Sequence, residues 1–170
     1  MTVVVAIEHE GRVWVGCDSA ITAGDSVEPS AEPKWWRARG GVLVGYAGDV
    51  RAAHVAHQAH ALQHAPREDV LAYVVRLAQR TRAALRREHI ATDALALLVV
   101  ARGRAYSVSG GAVSRSEHGY TAIGSGADVA LGALAATDGH EPRDRVLSAL
   151  RAACRHSASC RDPVRVECVE

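Results

Sequence analysis

The stretch that decides the fold is TVVVAIEHEGRVWVGCDS, residues 2–19. Apolar side chains alternate with polar or small ones on both sides of a turn at His9-Glu10-Gly11, as they do in half-buried strands. The alternating apolar positions are Val3, Val5, Ile7, Val13 and Val15. This pattern predicts two strands joined in a hairpin, and it places a threonine at the start of the first one.

The rest of the chain alternates between groups of strands and pairs of helices. Further strands are predicted at 42–48, 94–101, 104–110, 119–124 and 164–169, and helices at 49–64, 66–85, 128–137 and 142–156. Strands separated by pairs of helices do not suit a βαβ repeat, which has one helix per crossover. We therefore predict an α+β fold, a four-layer αββα sandwich of two antiparallel sheets flanked by helices, as one domain over residues 1–170.

Composition and charge exclude several classes of function. A net charge of +1 over 170 residues gives no basis for a nucleic-acid or anionic-membrane partner. No apolar run is long enough to span a bilayer, and the N-terminus lacks the zones of a secretory signal, so we expect a cytoplasmic protein. The four cysteines have neither a CxxC pair nor zinc-ribbon spacing, which favours free thiols over a disulfide or zinc framework.

Thr2 combines two groups that can work together in catalysis. If Met1 is removed, this residue carries a hydroxyl nucleophile and a free α-amine, whose ordinary pKa is about 7.7–8.0. Such an amine can accept the hydroxyl proton near neutral pH, so that one residue supplies both nucleophile and base. A retained Met1 would convert the amine into a non-basic amide and abolish this mechanism.

Several stretches together resemble the proteasome β-subunit/HslV-like family of N-terminal-threonine hydrolases. They are TVVVAIEHEGRVWVGCDSAIT at 2–22, the lysine at 34, GVLVGYAGDV at 41–50 and AIGSGADVALGAL at 122–134. The resemblance implies the αββα fold of N-terminal-nucleophile (Ntn) hydrolases and a threonine-type endopeptidase. It also implies a homo-oligomeric ring of six or seven subunits enclosing the active sites, and a separate ATP-dependent unfoldase partner.

The resemblance assigns a catalytic role to each of five positions. Thr2 matches the nucleophile, Asp18 the buried acid after the second strand, and Lys34 the lysine beside the nucleophile. Gly48 matches the glycine whose backbone N–H faces the developing oxyanion. Ser125 matches the serine that holds the amine and relays a proton. No cofactor is required for this chemistry.

Three further positions are candidates for contacting substrate. Thr22 matches a position whose backbone binds substrate as an added strand. Trp36, with Tyr46 opposite, can border the pocket for the substrate's first side chain. The tryptophans at 35 and 36 can equally supply core bulk in a chain without phenylalanine, or form an inter-subunit contact.

The match weakens after the last helix. Either Arg155 or Ser157 stands where the family usually has an aspartate that supports the nucleophile, which leaves a non-catalytic ring subunit open as an alternative. The same turn in the family offers carbonyls to a monovalent cation such as Na⁺. A gapless match puts Cys154, Ser157 and Cys160 there.

A histidine run supports a different class of function. His54, His57, His60 and His64 lie on one side of a predicted helix, and the last two have the i, i+4 spacing of metal ligands. The zinc-peptidase motif HExxH is absent, because Ala61 stands in the place of its glutamate. The alternatives to a peptidase are therefore an Ntn amidase acting on a small amide, a structural ring subunit and a metal-binding protein.

Overall fold

The computed structural model describes residues 2–24, 26–61 and 69–170. The strands in chain order are β1 (Val4–His9), β2 (Arg12–Cys17), β3 (Ala20–Ala23), β4 (Ser26–Pro29), β5 (Trp35–Arg37), β6 (Leu43–Gly48), β7 (Leu95–Ala101), β8 (Arg104–Ser109), β9 (Ala112–Ser114), β10 (Tyr120–Ile123) and β11 (Arg165–Val169). The helices are α1 (Val50–His60), α2 (Val70–Arg87), α3 (Ala127–Ala136) and α4 (Pro142–His156).

Two antiparallel sheets form the centre of the molecule. The first has the order β10-β1-β2-β11, and the second has the order β5-β6-β7-β8-β9. The β1–β2 hairpin turns at Glu10 and Gly11, both of which have positive φ. Its register pairs Val4 with Cys17, so the start of β1 lies beside the residues that follow β2.

Three layers of apolar contacts separate the four layers of the fold. Alternate residues of β1 and of the residue before it point to opposite faces: Val3, Val5 and Ile7 pack against α3 and α4, whereas Val4 and Ala6 face the second sheet. The second sheet packs its other face against α1 and α2. The predicted four-layer αββα sandwich is confirmed, and burial of β1 on both faces explains its nearly continuous apolar sequence.

The helix ends agree closely with the local sequence signals. Asp49 caps α1 by accepting a hydrogen bond from Ala52 N at 2.9 Å, and α4 starts at Pro142, where a missing N–H costs nothing. Asp69 caps α2, while the helix start predicted at residues 66–68 lies outside the described residues. The small β3–β4 hairpin was not predicted, because its mostly exposed strands lack apolar alternation.

Candidate active site

Thr2 lies directly before β1 and is held by the loop between β10 and α3. Its carbonyl oxygen accepts a hydrogen bond from Gly126 N at 3.2 Å, at the start of α3. A Cβ added at Gly124 would lie 2.3 Å from that same oxygen, and φ there is +97°. Glycine therefore lets the loop before α3 approach Thr2 closely.

Asp18 follows β2 and accepts five hydrogen bonds. Its Oδ1 accepts from Thr2 Oγ1 at 2.8 Å, Val3 N at 2.9 Å and Lys34 Nζ at 2.7 Å. Its Oδ2 accepts from Ala20 N at 3.0 Å and Arg161 N at 3.2 Å. A carboxylate that is 1% exposed is stable only with such partners, so these donors fix its position beside the threonine.

Lys34 completes a triangle of charged and hydroxyl groups. Its Nζ donates to both Asp18 Oδ1 and Thr2 Oγ1, and the residue is only 4% exposed. The Lys34 carbonyl accepts from Tyr46 N at 3.0 Å, which ties it to β6 of the second sheet. A buried ammonium at this place favours negative charge on Oγ1 and disfavours a positive charge on a nearby amine.

A chain of three serine hydroxyls lies on the other side of Thr2. The Thr2 nitrogen donates to Ser125 Oγ at 3.2 Å. Ser125 Oγ lies 2.7 Å from Ser159 Oγ, which lies 2.9 Å from Ser157 Oγ. Sequence reasoning did not single out Ser159, since the stretch after α4 gives no signal beyond two serines one residue apart.

A cavity of about 310 Å³ opens over Thr2. Its walls include five of the predicted residues, Thr2, Thr22, Lys34, Tyr46 and Gly48. The other lining residues are Ala20, Ile21, Ala47, Asp49, Val50 and Arg51. The structure therefore brings together the nucleophile candidate, the lysine, the glycine and two of the three residues expected to contact substrate.

Gly48 is required by the backbone at the edge of this cavity. Its φ is +123°, and a Cβ there would lie 2.1 Å from the carbonyl oxygen of Ala94. No other residue fits this position without displacing the backbone of the neighbouring strand.

Trp36 does not line the Thr2 cavity. Its ring stacks on His57 at a centroid distance of 5.0 Å and packs with the core beneath α1. It borders a second cavity of about 270 Å³, which shares Tyr46 with the first. Core packing is thus part of its role, and contact with substrate stays a prediction.

Two of the three candidate carbonyl ligands, Ser157 and Cys160, lie in the turn after α4, so the structure does not place all three in that turn as the gapless match expects. Cys154 lies within α4, and Cys160 N donates to the Ser157 carbonyl at 3.3 Å. All four cysteines are free, and burial raises the pKa of the Cys154 thiol to about 12. Arg155 is exposed at the helix end, whereas the Ser157 hydroxyl belongs to the serine chain. Binding of a monovalent cation stays a prediction.

The histidines of α1 point in different directions. His54 and His57 are exposed, whereas His60 is 1% exposed, with its Nε2 2.8 Å from Thr81 Oγ1. Burial lowers the pKa of His60 to about 4. His64 lies outside the described residues, and the described ranges hold no group of three His, Cys, Asp or Glu side chains suited to a metal ion.

Solved structures of similar fold support the architecture. A Thiobacillus denitrificans protein, BPH, in complex with epoxomicin has a TM-score of 0.84 and 19% identity, covering 99% of this chain and 98% of that one. A eukaryotic HslV from Trypanosoma brucei has a TM-score of 0.81 and 23% identity, with 99% of each chain covered. Anbu (ancestral beta-subunit) from Yersinia bercovieri has a TM-score of 0.75 and 16% identity, with 98% and 81% covered. No curated protein sequence matches this chain.

The fold is that of the Ntn hydrolases of the proteasome and HslV type. The family model described as "Proteasome subunit" matches residues 2–165. The chain therefore belongs to the proteasome subunit family. Among its described helices, none has both the length and the apolar character needed to cross a membrane.

Proposed function

We propose that this protein is an N-terminal-threonine peptidase that becomes active when Met1 is removed. The observation that carries the proposal is the set of contacts around one residue. Thr2 Oγ1 is hydrogen-bonded to both Asp18 and Lys34, while the Thr2 nitrogen is bonded to Ser125. Thr2 also lines a cavity of about 310 Å³.

The proposed reaction is acyl transfer through a covalent intermediate. The Thr2 α-amine takes the proton of Oγ1, which attacks the peptide carbonyl carbon, and the Gly48 N–H stabilises the resulting oxyanion. The protonated amine then gives its proton to the leaving nitrogen as the C–N bond breaks, leaving an ester on Oγ1. Water, deprotonated by the same amine, hydrolyses that ester and releases the acid product.

Lys34 and Asp18 support the first step. The ammonium of Lys34 lies beside Oγ1, where it stabilises the negative charge that develops as the proton leaves. The same charge disfavours protonation of the α-amine before attack. Asp18 keeps the buried ammonium paired and in position.

The surface around the cavity suits an extended peptide. Ile21 and Val50 are 39% and 41% exposed, and both line the cavity over Thr2. Thr22 lies on β3, which pairs only with β4 among the described strands, so one edge of β3 is open to an added strand. We infer peptide or unfolded protein substrates, with cleavage next to the residue held beside Tyr46.

Assembly follows by analogy with the family. We propose a cytoplasmic homo-oligomeric ring of six or seven subunits that limits access to the nucleophile, served by an ATP-dependent unfoldase. Sedimentation of the purified protein distinguishes such a ring from a monomer or dimer.

Intact mass and two variants test the peptidase. Loss of Met1 is expected in the purified wild type, and peptide hydrolysis is expected to vanish in Thr2→Ala. Thr137→Ala is a matched control, because its hydroxyl is also hydrogen-bonded, to Ala133 O at 2.8 Å, but far from the cavity. Complete retention of Met1, or hydrolysis unchanged by Thr2→Ala, contradicts the proposal.

Epoxomicin provides a probe that does not depend on the choice of peptide. Because the similar Thiobacillus denitrificans protein was obtained in complex with it, we expect a mass increase of one epoxomicin per subunit. The increase should be absent in Thr2→Ala and present in Thr137→Ala.

One observation favours a second candidate, a structural ring subunit. In the part of the chain that the structure describes, the hydroxyls of Ser125, Ser159 and Ser157 have no carboxylate partner, where the family usually has an aspartate. Ring assembly without hydrolysis or epoxomicin adduct would identify that function. An Ntn amidase would instead cleave small amides and leave peptides intact.

A further inference from the structure

Ser159 is a buried hydroxyl that the proposed mechanism does not yet use. It is 6% exposed and lies between the Ser125 and Ser157 hydroxyls, at 2.7 and 2.9 Å. Ser125 in turn accepts the hydrogen bond of the Thr2 nitrogen at 3.2 Å. A continuous line of polar atoms therefore runs from the reactive nitrogen to the end of α4.

We propose that Ser159 positions the α-amine of Thr2 through Ser125, as the centre of a chain of three hydroxyls that meets no carboxylate among the described residues. The chain serves the amine in both of its protonation states. This inference rests on the proposed function, because it assigns a task to the amine of a threonine nucleophile.

Hydroxyls and carboxylates differ in the hydrogen bonds that they can make. An ionised carboxylate only accepts hydrogen bonds, whereas a hydroxyl donates one and accepts others. When the amine is protonated it donates to Ser125, whose proton points to Ser159, and the Ser159 proton points to Ser157. When the amine is a free base, its lone pair accepts from Ser125, and the three hydroxyls reverse together.

The neutral hydroxyls also affect the pKa of the amine. A carboxylate at the end of this chain would stabilise the ammonium form and raise the pKa of the amine. Neutral hydroxyls do not distinguish the two forms by charge. The amine is then a free base over more of the neutral pH range, as the first step requires.

Other titratable groups surround the amine and stay the same in the test. Lys34 and Asp18 face it from the start of β5 and the end of β2, and they are bonded to each other. Tyr46, Asp49 and Arg51 line the same cavity, and the Cys160 thiol is hydrogen-bonded to Ser157 and Ser159. Burial raises the pKa of Cys160, so it is a neutral thiol there.

Three variants separate positioning from charge. Ser159→Ala interrupts the chain, and we expect kcat for peptide hydrolysis to fall about tenfold with KM nearly unchanged, since one positioned proton-transfer group contributes 10²–10⁴-fold at most. Ser159→Thr keeps a hydroxyl and should restore most of the rate. Ser157→Asp adds an acceptor-only charge and should raise the amine pKa by about one unit.

The amine pKa is measured without relying on activity. Acetic anhydride labels free-base amines, so N-terminal labelling followed by peptide mass spectrometry from pH 5 to 10 gives the titration curve of Thr2. The pH profile of kcat/KM gives a second value from hydrolysis. Ser107→Ala is the matched control, because it removes an equally short Ser–Ser contact, 2.7 Å to Ser114, on an exposed part of the second sheet.

The outcomes decide between the two proposals. Wild-type kcat in Ser159→Ala together with an unshifted amine pKa in Ser157→Asp overturns the hydroxyl chain. If Ser159→Ala does not fold, Ser159→Thr and Ser157→Asp still test the chain. A shifted amine pKa in a protein that hydrolyses nothing supports the chain and rejects the peptidase. Retention of Met1, read first by intact mass, overturns both.

Discussion

Removing the Asp18 carboxylate tests the architecture around Thr2 most directly. Asp18→Ala leaves the Lys34 ammonium, which is 4% exposed, without its ion-pair partner, and it leaves three backbone N–H donors without an acceptor. Breaking a buried ion pair by removing one partner costs about 3–5 kcal/mol. Each unsatisfied buried donor adds about 1–3 kcal/mol unless water fills the space. We expect a loss of at least about 4 kcal/mol, a large part of the roughly 5–15 kcal/mol that stabilises a typical domain.

Replacing Lys34 should lower the free energy of unfolding by less than replacing Asp18 does. Lys34→Met leaves the Asp18 carboxylate with its other four donors, so the loss is about 1.5–3 kcal/mol, the value of one charged hydrogen bond. The double variant has no unpaired ammonium in the core. Its loss should therefore be smaller than the sum of the single losses by roughly 2 kcal/mol.

Urea unfolding followed by circular dichroism measures all three free energies. The pair formed by Glu8 and Arg115 is the matched control, since its arginine is 43% exposed and its coupling should stay below about 1 kcal/mol. Single losses at Asp18 and Lys34 that add to within about 0.5 kcal/mol would refute the reasoning. Asp18 would then be a carboxylate that terminates a strand, with no special relation to the lysine.

Two further predictions concern the cavity wall and the buried histidine. Gly48→Ala should destabilise the protein by about 1–3 kcal/mol and lower kcat/KM, because its Cβ would lie 2.1 Å from the Ala94 carbonyl oxygen. Gly132→Ala is the control in thermal unfolding and peptide assays: nothing lies within 4 Å of its Cβ in the middle of α3, so it should leave kcat/KM unchanged and stabilise the protein by about 0.5–1 kcal/mol. Burial lowers the pKa of His60 from 6.5 to about 4. Between these pH values the unfolded chain binds a proton at His60 that the folded chain does not. The free energy of unfolding should therefore fall by up to about 3 kcal/mol as the pH is lowered from 6.5 to 4. In urea titrations, His60→Leu should remove this dependence of the free energy of unfolding on pH, whereas the exposed control His54→Leu should keep it. An unchanged pH dependence in His60→Leu would contradict its attribution to His60.

Much of the fold could be predicted because its signals are local. Alternation in residues 2–19 predicts the central hairpin, and the capping and proline signals at Asp49 and Pro142 predict the starts of α1 and α4. The β3–β4 hairpin escaped prediction because its mostly exposed strands lack the apolar alternation that marks the central hairpin.

Some residues of the candidate site could likewise be predicted from the sequence, whereas others could not. The resemblance to a known family identified Thr2, Asp18 and Lys34, and the structure places all three in mutual contact. Trp36 was expected to border the pocket as one of several options, and its placement beneath α1 follows from the pleat of β5, which sends alternate side chains to opposite faces. Ser159 could not be found, because nothing in the local sequence indicates that the turn after α4 folds back onto Ser125.

What the sequence by itself determined is the hydroxyl group at residue 2, on which the proposed chemistry depends, and the order of strands and helices, since both depend on residues adjacent in the chain. Only the tertiary structure decided which groups surround that threonine. Asp18, Lys34, Ser125 and Ser159 come from separate loops that two packed sheets and their helices bring within hydrogen-bonding distance. Contacts between residues more than a hundred positions apart depend on how the layers pack. Packing placed a lysine and a carboxylate beside the Thr2 hydroxyl, and it placed the Ser125 hydroxyl beside the Thr2 nitrogen.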